Sequence, residues 1–123
     1  MDEDSFNPNQ TRKTVVKEKY FAFAVRIIRL SQYLTDRQKE FVLSKQVLRS
    51  GTAIGALVRE AEQAESKADF IHKLAIALKE ANETEYWLEL LYRTDYINLK
   101  SFQSILTDLK ELLKLLTSII KRS

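Results

Sequence analysis

The chain has no cysteine, one proline, one histidine, one tryptophan and only two glycines in 123 residues. Without cysteine there are neither disulfides nor thiolate metal sites, which fits a reducing compartment, and a cytoplasmic location is expected. So little glycine and proline leaves few residues for tight turns. Long apolar runs are missing too, since none approaches the roughly 18 residues of a membrane span. The opening stretch MDEDSFNPNQ is acidic and polar, unlike a secretory leader. No P-loop, glycine-rich phosphate cradle or zinc spacing occurs. No membrane partner, small-molecule substrate, cofactor or metal is therefore expected.

Leu, Ala, Glu, Lys and Ile dominate what is there, which is the composition of an all-α protein. The length suits one domain with a real core. Residues 1–11 show no apolar period and are expected to form a disordered tail. From Arg12 to Leu34, Val16, Tyr20, Phe23, Ile27, Leu30 and Leu34 recur every three or four residues, the mark of one helical face. Val15, Ala24 and Ile28 widen that face, so this helix is expected to touch two neighbours. Thr35 with Gln38 has the spacing of a capping box and predicts a second helix over 36–64. Phe41, Val42, Val47, Leu48, Ile54, Leu57, Val58 and Ala61 supply its apolar content. Ser66 with Asp69 caps a third helix over 67–92, and Asn98 a fourth over 99–121. Short connections between four such helices predict an antiparallel up-down-up-down four-helix bundle over 12–123.

Both glycines fall inside the second helix, at Gly51 and Gly55. Each costs about 1 kcal/mol relative to alanine in a helix, so a packing reason is needed. Four-residue spacing places them on one face with Ala56 beside it, smooth enough for a close helix–helix crossing. The alanines of the third helix, Ala75, Ala77 and Ala81, are plausible seats. The rival reading is a loop at Ser50-Gly51-Thr52 that splits the helix in two.

The net charge is only +3, but residues 12–59 carry eleven Lys/Arg against three Asp/Glu. Residues 60–95 reverse this, with four basic against nine acidic side chains, and 96–123 return to a balance of +3. Such asymmetry points to an anionic partner or to subunits meeting with opposite charge, against the plain alternative of solvated helix faces. The candidate nucleic-acid contacts are Arg12, Lys13, Lys17, Lys19, Arg26 and Arg29 of the first helix, with Lys45, Arg49 and Arg59 of the second. Binding through such residues would be salt-dependent and largely independent of sequence. Catalytic candidates are few. His72 follows Asp69 by three residues, half of a di-iron bundle motif without its second half. No serine has an evident base. No catalytic residue is assigned, and the chain is read as a non-enzyme.

Residues 46–61, QVLRSGTAIGALVREA, and 66–91, SKADFIHKLAIALKEANETEYWLELL, resemble the bacterial four-helix-bundle family associated with intervening sequences in 23S rRNA genes. Arg49, Ser50, Gly51, Gly55, Arg59 and Glu60 match its pattern. Ala53 stands where the family usually has Ser, and Leu57 where it usually has Asn. If those polar groups contact a ligand, that contact is lost here; if they tie helices together, packing replaces them. The resemblance implies a small bundle that assembles as a ring of five. A protein similar to the family, the accessory variability determinant of diversity-generating retroelements, is a basic pentamer that assists a reverse transcriptase and its RNA template. The expected function is thus a homo-oligomeric scaffold, a pentamer by resemblance, that binds RNA or a nucleic-acid-processing protein. The alternative is a protein–protein adaptor in which the basic helices meet Glu80–Glu89 of a neighbouring subunit.

Overall fold

A computed structural model describes residues 8–123, with side chains from Val15 onward. Four helices follow in order: α1 (Pro8–Asp36), α2 (Val42–Ala61), α3 (Lys67–Arg93) and α4 (Leu99–Arg122). Three five-residue connections, 37–41, 62–66 and 94–98, reverse the chain each time. Sequential helices pack side by side, α4 closes back on α1, and the diagonal pairs stay apart. This is the all-α, antiparallel four-helix bundle that the periodicity implies.

The core is the expected stripe of each helix. Ile27 and Leu34 of α1, Val47 and Ile54 of α2, Leu74, Leu88 and Leu91 of α3, and Leu109, Leu112 and Leu116 of α4 are all essentially inaccessible. Two edges of that reading are corrected. Phe41 and Val42, counted as apolar content of the second helix, are exposed, as are Val15 and Ile28 of α1. α1 does touch two neighbours, but through its central stripe and its polar flanks.

Helix ends follow local chemistry. Ser66 Oγ accepts from Asp69 N at 3.0 Å, and Asn98 Oδ1 accepts from Ser101 N at 2.8 Å, so two of the expected caps form. α3 ends with Asp95 in the left-handed region at φ 67, where Tyr96 N donates to Leu91 O and Asp95 N to Tyr92 O, a Schellman closure made without glycine. The cap expected at Thr35 does not form. Thr35 Oγ1 instead donates to the carbonyls of Ser31 and Gln32, which carries α1 through Asp36. The chain turns at Lys39, φ 54, and α2 starts at Val42, six residues later than the expected 36. Glu40 takes over the capping role: its carboxylate accepts from Ser44 N at 2.8 Å and Val42 N at 3.3 Å. α2 also ends at Ala61, three residues short of 64. At the other end α1 begins at Pro8, inside the expected tail, and proline suits a first helical turn because its missing N–H has no partner there. The remainder of the expected tail, 1–7, lies outside the described residues.

Gly51 and Gly55 lie within one unbroken helix, so the loop at Ser50–Thr52 is excluded. Their seat is α1 and not the alanines of α3. A Cβ on Gly51 would fall 2.8 Å from Ile27 Cγ2, and one on Gly55 would sit 3.5 Å from Tyr20 Cβ. Ala56 points outward and takes no part in this contact. Two buried hydroxyl pairs flank α2. Ser44 and Ser31 meet at 2.9 Å toward α1, while Ser50 and Thr84 meet at 2.9 Å toward α3. Burying an unpartnered hydroxyl costs roughly 1–3 kcal/mol, and pairing removes that penalty. Leu57, at the departure from the family pattern, is half-buried and packs against the core.

Candidate nucleic-acid interface

The nine cations singled out above do not form one free surface. Lys17 Nζ lies 2.9 Å from Glu62, just beyond α2, and Lys19 Nζ lies 3.1 Å from Glu111 on α4. Arg26 reaches α4 as well, with Nη1 at 2.8 Å from Asp108 and Nη2 donating to Ser104 Oγ at 2.7 Å. Arg49 turns toward α3, where its guanidinium meets Glu80 at 3.2 Å and also pairs with Glu83. Among the described residues, Arg29, Lys45 and Arg59 are exposed and have no carboxylate within ion-pair distance. The side chains of Arg12 and Lys13 lie outside the described residues.

The strongest of these contacts is the Arg49 cluster. Glu83 accepts from the Trp87 indole Nε1 at 3.0 Å and from Arg49. The indole bond, followed by the guanidinium, holds its carboxyl below the ordinary carboxylate range. The hydrogen bond that Arg49 donates to Glu83 in turn raises the guanidinium above its ordinary value. Charge-assisted pairs of this kind are stronger than neutral ones, but both partners stay partly solvated. Glu80, Glu83 and Glu85, read from sequence as an acidic face for a neighbouring subunit, all have partners in their own chain: Arg49 for the first two and Lys110 at 3.0 Å for Glu85. Only Glu89 of that group is exposed and unpaired among the described residues.

The outer surface of α1 and α2 has an apolar component. Phe21, Val25 and Ile28 follow one another along α1 at 61%, 38% and 42% exposure. Beside them runs an open groove of about 660 Å³ over the α1/α2 crossing, lined by Phe21, Ala24, Thr52, Gly55, Ala56 and Arg59. Small residues, Ala24, Gly55 and Ala56, form the floor of this groove and leave a depression between walls of longer side chains.

α4 adds cations that the sequence analysis did not place among the candidate contacts. Lys100, Lys114 and Lys121 are exposed and unpaired among the described residues. The signal was present in the four-residue step from Lys110 to Lys114, but the larger excess in 12–59 overshadowed it.

Chemistry beyond charge is sparse. His72 is exposed on α3, and Asp69 accepts from the backbone N of Glu65 at 3.3 Å. Among the described residues no group of three or more His, Cys, Asp or Glu could share a metal ion. No described helix is long and apolar enough to cross a membrane. Among the described residues the one deeply buried ionisable side chain, Tyr20, has its phenol pushed well above the ordinary value by desolvation, with its hydroxyl 3.5 Å from Leu112 O. A phenol so held is a packing element and not a base.

The sequence matches a known family. The profile of the 23S rRNA-intervening sequence proteins aligns with residues 12–118. The chain belongs to that family. Among solved structures, the chain is similar to a protein of unknown function from the S23 ribosomal protein family of Bacteroides thetaiotaomicron. The two share 66% identity over 88% of this chain and 96% of that one, with a TM-score of 0.87. No functionally curated protein matches. The matched residues of this 23S rRNA-intervening sequence protein include the glycine-bearing crossing of α1 and α2.

Proposed function

We propose that the protein is a non-enzymatic scaffold that self-assembles through the outer face of α1 and α2 and holds RNA, or an RNA–protein complex, by the phosphate backbone. The observation that carries this reading is the row Phe21, Val25 and Ile28, exposed along α1 beside the groove at Gly55 and Ala56. From Phe21 to Ile28 the row runs about 10 Å at 1.5 Å per residue, two helical turns that a partner helix can cover. Protruding and hollow elements stand side by side on one face, so a second copy offers each the complement it lacks. A ring of five is the assembly that the resemblance to pentameric relatives favours. Arg29, Lys45 and Arg59 border the same face without internal partners, and a polyanion is the partner that such charges suit. No base-reading element accompanies them, so recognition rests on backbone and shape.

Fluorescence anisotropy with a labelled RNA at two salt concentrations tests the binding half. Binding that weakens steeply as salt rises is expected. No binding at low salt, or binding indifferent to salt, contradicts it.

A further inference from the structure

From the ion-pair pattern we infer that the main phosphate track of this protein is the outer stripe of α4 and not the basic face of α1 and α2. This rests on the proposed nucleic-acid role and says where the backbone lies. Residues 12–59 hold the largest cation excess in sequence, but the fold cancels much of it, since Lys17, Lys19, Arg26 and Arg49 each face a carboxylate. α4 has the opposite history. Its only two acids, Asp108 and Glu111, lean toward α1 and are neutralised there by Arg26 and Lys19.

The face of α4 turned away from α1 is therefore basic, while Asp108 and Glu111, half-exposed, lie on the flank toward α1. Lys100, Lys110, Lys114 and Lys121 share one face with the uncharged Gln103, Thr107 and Thr117. Lys110 alone has a carboxylate neighbour, Glu85 of α3. From Lys100 to Lys121 the stripe is about 31 Å long at 1.5 Å per residue, enough to follow several phosphates of one strand. The only exposed large apolar residue of α4 is Leu99 at its start, so the stripe lacks the hydrophobic row with which a helix enters a membrane interface. A nucleic-acid backbone is the polyanion that needs charge without apolar insertion. Position supports the assignment as well. α4 lies diagonally across the bundle from α2, so assembly through the α1/α2 face leaves this stripe open.

The test uses the full chain and a fluorescein-labelled 20-base-pair RNA duplex, titrated over a range of salt. Two triple variants are compared with the unsubstituted protein: Lys100→Gln with Lys114→Gln and Lys121→Gln, and Arg29→Gln with Lys45→Gln and Arg59→Gln. The α4 variant is expected to bind about tenfold or more weakly at low salt, and its plot of log affinity against log salt to flatten by about 2 to 3. The α1/α2 variant is expected to change far less. Circular dichroism reports folding; should the α4 triple variant not fold, Lys114→Gln alone carries the test, with a slope change of about 1. If the unsubstituted protein binds and the α4 variants bind equally well, the α4 assignment fails while the RNA role stands. If it ignores RNA at low salt but binds anionic lipid vesicles, or binds neither, both fail.

Discussion

Along the α1/α2 seam the backbones come so close that a Cβ on Gly51 would fall 2.8 Å from Ile27 Cγ2. Along the α1/α4 seam the helices stand further apart and long side chains span the gap, Lys19 to Glu111 at 3.1 Å and Arg26 to Asp108 at 2.8 Å. The first seam depends on shape, with dry contacts that cannot adapt. The second depends on charged arms that remain in water and can swing. One helix is thus held rigidly on one side and loosely on the other. The α1/α4 pairs also neutralise the two acids of α4, while Lys100, Lys114 and Lys121 have no carboxylate partner among the described residues.

Breaking the tight seam should have the largest effect. Gly51→Val places a branched side chain against Ile27, itself stiff at χ1, and should destabilise the fold by about 3 kcal/mol or more in urea denaturation at fixed protein concentration. Next comes the buried hydroxyl pair on the far side of α2. Thr84→Val leaves Ser50 without its partner at 0% exposure and should cost about 1–3 kcal/mol in the same assay.

The two glycines sharpen the comparison because they should respond with opposite signs. At Gly51 the clash outweighs the gain in helix propensity, so Gly51→Ala should lose about 1 kcal/mol net. At Gly55 the nearest atoms are at an ordinary 3.5 Å, so Gly55→Ala should gain about 0.5–1 kcal/mol. Equal responses at both positions would contradict the described crossing. At the α1/α4 seam, Arg26→Met should cost less than about 1 kcal/mol and erase part of the salt dependence of stability, because both partners are over a third exposed.

The smallest effect is a pH dependence on α3. The carboxyl of Glu83 is held below its ordinary value, chiefly by the Trp87 indole and then by Arg49. Below about pH 4.3, the ordinary glutamate value, the unfolded chain takes up a proton before the folded one does. The contribution of Glu83 is therefore complete at neutral pH and is lost as pH falls through its lowered folded value. Acid denaturation of Glu83→Gln should show a shallower loss of stability across that window.

The caps at Ser66 and Asn98 could be read from sequence because each involves residues three apart. The start of α2 could not, because Thr35 satisfies its hydroxyl within α1 and Glu40 caps in its place. Two chemically reasonable caps compete there, and only tertiary packing decides. Glycine spacing revealed a close crossing but not its partner, since α1 and α3 both flank α2. The charge map misled for a stronger reason. Lys19 and Glu111 are 92 residues apart and Arg26 and Asp108 are 82, so a sum over neighbouring residues counts as free what the fold pairs. The candidate cations of α1 and α2 were visible as charges; which of them stay unpaired depends on contacts that no local window contains.

On the proposed reading the exposed row Phe21, Val25 and Ile28 is covered by further copies of this chain. Multi-angle light scattering of the purified protein tests it directly. One species at a multiple of the 14.3 kDa protomer mass is expected, five-fold by the resemblance to ring-forming relatives, with collapse toward a single protomer in Phe21→Ser with Ile28→Ser. A mass of one protomer for the unsubstituted chain across the micromolar range would contradict it.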